Sequence, residues 1–180
     1  MILSEKGEKE ALKLSRWSLN REIKQIDSVK PVTTDPEFKN RHGVFVTITL
    51  IDELRGCVGR VEPINILDKE IYDLTLSSAL NDPRFPSVDL SIVEQLKIEI
   101  SILSKPDIFT NIDDIKIGRD GLMVEKADYR GLLLPQVAEE EDWDITTFVS
   151  QTCLKAGLPS ESWKSEDTIL YKFTAQKFSE

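Results

Sequence analysis

Residues 43–61 have the sequence GVFVTITLIDELRGCVGRV, which pairs two apolar, β-prone runs around a short polar step. The run from Gly43 to Ile51 is rich in Val, Ile, Thr and Phe, a composition typical of a strand buried on at least one face. Asp52-Glu53 supplies a turn, and Leu54 to Val61 forms the returning strand. This stretch therefore predicts a β-hairpin.

Helices are predicted on both sides of this hairpin. Ser4 to Gln25 places apolar residues at helical spacing among lysines and glutamates. Leu67 to Leu80 forms a second helix that ends at the turn Asn81-Asp82-Pro83. Leu96 to Leu103 then alternates strictly between apolar and polar residues, which predicts a half-buried strand.

The remainder of the chain continues the alternation of strands and helices. Asp120-Gly121 is a hairpin turn signal between residues 115–117 and 122–124, and Leu132 to Leu134 forms a further strand. A helix begins at Asp144 or Thr146 and ends at Ala156, and a last strand covers residues 169–175. Hairpins make the sheet largely antiparallel, so the fold class is α+β with flanking helices. Because no independent linker is visible, residues 1–180 are expected to form a single domain.

Composition limits the classes of function. The 180 residues include 23 basic and 32 acidic side chains, a net charge of −9, which disfavours extended contact with nucleic acid or anionic lipid. The longest apolar run is far too short to span a bilayer, so no membrane association is expected. Two cysteines about a hundred residues apart favour a reducing, cytoplasmic location. With His42 as the single histidine, a zinc site of Cys and His ligands is not expected, and no pattern indicates a cofactor.

Cys57 is the first candidate functional residue. Alternation along the strand places Arg55 and Cys57 on one face, about 7 Å apart at roughly 3.3 Å per residue. A guanidinium favours the reactive thiolate, and Gly56 and Gly59 leave room for close approach of a ligand or of another backbone. The functional interpretation is a thiol that acts as a nucleophile on an anionic ligand, bound by Arg55 and the amides of Gly56 and Gly59. The alternative is a small buried side chain in a bulged strand.

Three other residues are candidates for a site, whereas the second cysteine is not. Arg84, held between Pro83 and Pro86, is a candidate ligand for a carboxylate or phosphate. His42 is a candidate general base for Cys57 if the fold brings the two together. Gln136 follows a proline at a strand end and is a candidate ligand-binding residue. Cys153 lies on the apolar face of a predicted helix and is interpreted as a core residue.

Several segments of the sequence resemble the AMMECR family. Leu54-Arg55-Gly56-Cys57-Val58-Gly59 is similar to its Leu-Arg-Gly-Cys-Ile-Gly motif, with Val58 in place of Ile. Asn81 to Pro86 resembles its Asp-Pro-Arg-Phe-x-Pro segment, and Gly131 to Ala138 its Gly-Leu-Leu-Leu-Pro-Gln-Val-Ala block. A fourth similar segment runs from Cys153 to Pro159. The resemblance covers roughly residues 8–178.

The resemblance implies an α+β fold with a larger lobe and a smaller lobe, and a cleft that holds the cysteine motif. It implies no settled reaction, so whether the protein is an enzyme stays open. Association of the family with Memo-type and radical-SAM proteins makes those proteins candidate partners. Two hypotheses remain: a Cys57-centred site for a small anionic ligand, and a non-enzymatic protein-interaction or scaffold domain. A nucleic-acid-associated regulator is a distant third because the chain is acidic.

Overall fold

The structure, a computed structural model, describes residues 2–180. It confirms the α+β class: helices flank strands that pair in antiparallel fashion. The helices are α1 (Glu5–Lys24), α2 (Leu67–Leu80), α3 (Pro135–Glu140) and α4 (Ile145–Lys155). The strands are β1 (Val44–Leu50), β2 (Glu53–Arg60), β3 (Leu96–Leu103), β4 (Asp107–Phe109), β5 (Asp120–Lys126), β6 (Tyr129–Leu133) and β7 (Ile169–Ser179).

The chain divides into two compact units. The first unit contains the residues up to Leu103 together with Gln176–Glu180, and the second contains Ser104–Ala175. Strands follow the order β2, β1, β3 and the end of β7 in the first unit. In the second unit, β5 pairs with β6 on one side and β7 on the other, and β4 also pairs with β7.

One face of the first unit's sheet forms its core. Alternate residues of β1 and β3 point to α1 and α2 and are fully buried, which follows from the two-residue period of a strand. The two helices also contact each other through a buried hydrogen bond between the Ser15 and Thr75 hydroxyls, at 2.7 Å. These core strand residues are Val44, Val46, Ile48, Ile98, Ile100 and Ile102. The other face of the sheet is only partly covered.

Gly56 allows α2 to approach the sheet closely. A Cβ atom at this position would lie 1.9 Å from the carbonyl oxygen of Ser78 on α2. The Ser78 hydroxyl accepts a hydrogen bond from the Val58 N–H at 3.0 Å and donates one to the Val46 carbonyl at 2.8 Å. The end of α2 is therefore inserted at the β1–β2 pair, which only a residue without a side chain permits.

In the second unit, the hairpin turn predicted at Asp120-Gly121 is wrong. Asp120 is instead the buried first residue of β5, opposite Thr174 of β7. Its carboxylate accepts hydrogen bonds from the Lys116 N–H at 2.9 Å and from Arg119, so Asp120 closes a loop before the strand. The turn falls between Lys126 and Tyr129, with Ala127 at a φ of +50°. Two short elements, β4 and α3, were not predicted.

We expect Gly56→Ala to lower the free energy of unfolding by about 2 kcal/mol, within the usual range for overpacking. The added methyl group meets a backbone carbonyl, which cannot move unless α2 shifts. Gly59→Ala is the matched control: its Cβ meets the Phe45 ring, which can rotate, so the loss should be about 1 kcal/mol or less. Urea unfolding measures both. Equal losses would contradict close packing of α2 on Gly56.

Candidate functional site

Cys57 lies near the middle of β2, at the edge of the first unit's sheet. It is opposite Thr47 of β1, whose hydroxyl donates a hydrogen bond to the Cys57 sulfur at 3.3 Å. Because Val46 and Ile48 point to the helices, Thr47 and Cys57 point to the other, partly covered face. The thiol is thus half-buried.

Asp82 joins the turn after α2 to the outer edge of β2. Its side chain is 3% exposed and accepts a hydrogen bond from the Cys57 N–H at 2.9 Å. It also accepts from Arg84, through Nε at 3.0 Å and Nη2 at 2.7 Å. Arg84 Nη2 in turn donates to the Cys57 carbonyl at 3.0 Å. Both outward-facing groups of the Cys57 backbone are therefore bound by this turn, so no free strand edge remains there.

The same contacts determine the charges at this edge. Hydrogen bonds from the Arg84 side chain and then from the Cys57 N–H hold the pKa of Asp82 well below its usual range. The bond to Asp82 raises the pKa of Arg84, and the nearby Cys57 side chain acts in the same direction. Arg84 thus carries a positive charge beside the thiol, and its side chain is 56% exposed.

Arg55 is directed to the loop after α2. The register between β1 and β2 shifts opposite Ile48 and Thr49, so Arg55 has no residue opposite it on β1. Its Nη1 donates a hydrogen bond to the Pro86 carbonyl at 2.9 Å. The simple alternation expected from the sequence is therefore interrupted at this residue. Arg55 thus binds the Pro86 carbonyl, whereas Arg84 binds the Cys57 carbonyl.

Gly56 and Gly59 have neighbours that occupy the space of a side chain. The Ser78 carbonyl fills that space at Gly56, and the Phe45 ring fills it at Gly59, 2.2 Å from an ideal Cβ. Both glycines thus have a packing reason to be present. A ligand does not have to be invoked to explain either of them.

The structure does not bring His42 to this cluster, and Gln136 belongs to the other unit. His42 Nε2 lies 2.8 Å from a carboxylate oxygen of Glu37, and the residue is five positions before Thr47, which is about 16 Å along an extended chain. Gln136 lies in the first turn of α3, in the second unit. Cys153 is fully buried in the second unit's core, which confirms its interpretation as a core residue, and burial raises the pKa of its thiol.

Two residues near Cys57 were not found by sequence reasoning. Thr47 is opposite Cys57 on one side and opposite Glu99 of β3 on the other, so the three side chains form a row on one face. Glu99 pairs with Lys177 of β7, at 3.0 Å between Nζ and Oε2. Alternation placed Glu99 on the polar face of its strand. The row itself depends on the register between strands, which a single sequence does not contain.

Metal sites and membrane-spanning helices are two further features to consider. Within residues 2–180, no group of three or more His, Cys, Asp or Glu side chains is arranged to hold a metal ion. No helix in this described part of the chain is long and apolar enough to cross a membrane.

Comparison with known proteins yields consistent matches. A family model described as AMMECR1 matches residues 12–178. Protein PH0010 of Pyrococcus horikoshii is 41% identical over 180 residues, 94% of this chain and 87% of that protein. Protein MJ0810 of Methanocaldococcus jannaschii is 44% identical over 151 residues, 79% of this chain and 75% of that protein. The crystal structure of uncharacterized protein PH0010 superposes with a TM-score of 0.88 at 38% identity, covering 100% of this chain and 94% of that one.

Asp82→Asn should lower the free energy of unfolding by about 2 kcal/mol at pH 7, because it weakens hydrogen bonds made by a charged group. The loss should shrink in acid. An unfolded aspartate takes up a proton near pH 3.9, whereas folded Asp82 stays ionised to lower pH. Its contribution is complete above about pH 5 and declines as the pH falls through 4 towards the folded pKa.

Urea unfolding of both proteins between pH 7 and pH 2.5 measures this difference. Asp107→Asn, at an exposed position of β4, is the control and should show a difference near zero throughout. A difference between wild type and Asp82→Asn that does not change with pH would show that the Asp82 charge contributes nothing to folding.

The two cysteines should differ in accessibility. We expect a neutral alkylating reagent to label Cys57 in the native protein, because the thiol is half-buried, and to label Cys153 only after unfolding, because it is 0% exposed. Mass spectrometry of digested protein locates the label, and Cys57→Ser should take up none while folded. Native labelling at Cys153, or none at Cys57, would contradict the described geometry.

Proposed function

The chain belongs to the AMMECR1 family, and on that premise we propose that its first unit contains a thiol site that binds a small anionic ligand at Cys57. Cys57 is the group that contacts or reacts with the ligand. Arg84 supplies positive charge next to it, and Thr47 orients the sulfur.

The observation that carries this proposal is that Arg84 is anchored to the backbone of Cys57 itself. Its Nη2 binds the Cys57 carbonyl, and its Nε binds Asp82, which binds the Cys57 N–H. A guanidinium held by several hydrogen bonds loses little entropy when an anion binds, so it is preorganised. Arg84 Nη1 has no hydrogen-bond partner among residues 2–180, which leaves donors for a ligand.

Arg55 adds a second positive charge at this edge of β2, and it acts on the carboxylate of Asp89. Asp82 alone would neutralise Arg84, which would weaken any attraction for an anion. Arg55 lies at the same edge of β2, where Nη1 binds Pro86, and it carries a second positive charge. The sulfur itself accepts the hydrogen of the Thr47 hydroxyl, a contact that holds it in one orientation beside these two positive charges.

Alkylation of Cys57 by a charged and a neutral reagent tests the proposal. In both reactions the Cys57 thiolate forms an S–C bond while the C–I bond breaks and iodide leaves. Iodoacetate carries a negative charge and iodoacetamide does not, so the ratio of their rates reports the local potential. We expect Arg84→Gln to lower this ratio roughly two- to fivefold, which corresponds to loss of one unit charge several ångströms away in a mostly aqueous medium.

Arg119→Gln is the matched control, since Arg119 is 50% exposed and paired with the buried Asp120, much as Arg84 is paired with Asp82. It should leave the ratio unchanged. Arg84→Lys keeps the charge and should retain most of the wild-type ratio, which separates charge from misfolding. An unchanged ratio in a folded Arg84→Gln protein would rule out the anion site.

A specific surface feature favours a second candidate function, that of a protein-interaction domain. The β1–β2 turn exposes Ile51 at 78% and nearby Leu54 at 42%. Ile51 has a φ of +51°, a conformation that is costly for a β-branched residue. Exposed apolar side chains on a strained turn are suited to contact with a partner. If Cys57 cannot be labelled in the native protein, this candidate becomes the better one.

A further inference from the structure

A small cavity lies beside Cys57 on the same face of the first unit's sheet. Its volume is about 230 Å³, and its lining includes residues of β1, β3 and the end of the chain. Thr47 belongs to this lining and also donates its hydroxyl hydrogen to Cys57, so the cavity and the thiol share one side chain. The lining residues that matter here are Thr47, Thr49, Lys97, Glu99, Ser179 and Glu180.

Most charged side chains around this cavity already have a partner of opposite charge. Lys97 binds Asp52 at 2.8 Å, and Lys177 binds Glu99 through Oε2. The carboxylate of Glu180 is held by Arg16, with 3.1 Å between Nε and Oε1. Each of these two lysines is thus neutralised by a carboxylate, so neither presents an unpaired positive charge to the cavity.

The polar atoms of the cavity that have no partner are oxygen atoms that can accept hydrogen bonds. Glu99 Oε1 has no partner among residues 2–180, and the hydroxyls of Thr49 and Ser179 make no hydrogen bond within that range. A carboxylate with a free oxygen, next to hydroxyl groups, favours a cationic group that donates several hydrogen bonds. An ammonium group has this chemistry.

We propose that this cavity binds the ammonium end of a zwitterionic ligand whose anionic end lies at Arg84. The inference rests on the proposed function, because it assigns the second half of the same ligand. Glu99 is the residue that recognises the ammonium group. Cys57 lies at the anionic end, next to Arg84, and Thr47 lies between Cys57 and Glu99.

The spacing of the strands gives the length of the ligand. Cys57, Thr47 and Glu99 occupy neighbouring strands β2, β1 and β3, and each step is about 4.8 Å, so Cys57 and Glu99 are about 10 Å apart. An extended peptide spans about 3.5 Å per residue. Arg84 Nη2 lies 3.0 Å from the Cys57 carbonyl oxygen, so Cys57 marks the anionic end of the row. A ligand of roughly three residues in length, such as triglycine, therefore covers the distance from this end to Glu99.

Lys177 does not prevent this binding. Its ion pair with Glu99 joins side chains that are 45% and 31% exposed, and exposed pairs of this kind contribute little to stability. An incoming ammonium group can bind Oε1 of Glu99 while Lys177 stays at Oε2. The row from Cys57 to Glu99 then faces one continuous ligand.

Protection of Cys57 from iodoacetamide by short peptides tests the inference. Triglycine carries both charges, N-acetyl-triglycine lacks the ammonium group, and triglycine amide lacks the carboxylate. We expect triglycine to protect wild-type protein at roughly tenfold lower concentration than N-acetyl-triglycine, the effect of one additional hydrogen bond between charged groups. Peptide concentrations up to about 10 mM cover the expected affinities. Glycine itself should protect less, because it cannot reach from Arg84 to Glu99.

Glu99→Gln should abolish the difference between triglycine and its acetylated form, whereas Glu161→Gln, at an exposed ion pair in the second unit, should preserve it. Equal protection by the two peptides in wild type would overturn the ammonium site and leave the anion site intact. No protection by any of the peptides up to about 10 mM would also overturn it. In that case the ratio of iodoacetate to iodoacetamide rates decides separately whether the anion site stands.

Discussion

The buried carboxylate of Asp82 is the contact on which the geometry around Cys57 depends. It is the acceptor for both the Cys57 N–H and the Arg84 guanidinium, and a buried carboxylate is tolerated only when such donors compensate for its lost hydration. Without it, Arg84 would lose the anchor that keeps its charge beside the thiol. A residue that stabilises the turn after α2 thus also determines where the positive charge lies.

The hydrophobic core and the candidate site are connected through a single strand. On one side of β2, the backbone of α2 packs so closely against Gly56 that any side chain at this position would clash with it. On the other side, Cys57 faces Thr47 and the partly covered surface of the sheet. Because α2 leads directly into the turn that carries Asp82 and Arg84, its close packing on Gly56 also positions those two residues. The position of the thiol relative to the guanidinium therefore follows from how α2 packs.

The sequence alone was sufficient to predict helices and strands that have a clear hydrophobic period and clear end signals. The predicted bounds of α2 and β3 agree with the structure, because alternation and a proline stop are local properties. The turn predicted at Asp120 was wrong, because an aspartate that caps a loop with its side chain gives the same local signal as a hairpin turn. Cys57 and Arg84 could be singled out from residue type. Glu99 could not be connected with them, because that requires the register between β1 and β3.

The glycines near Cys57 illustrate why a motif alone does not identify a function. Gly56 and Gly59 are both explained by neighbours within the protein, so their presence supports neither an enzyme nor a scaffold. Cys57 and Arg84 differ from them in this respect. A serine or valine could fill the half-buried position of Cys57, so packing does not explain the thiol. The carboxylate of Asp82 requires hydrogen-bond donors, but it does not require that they come from Arg84, whose side chain is 56% exposed. The case for chemistry at this edge of the sheet therefore depends on the thiol and the exposed guanidinium, and not on the glycines between which the thiol lies.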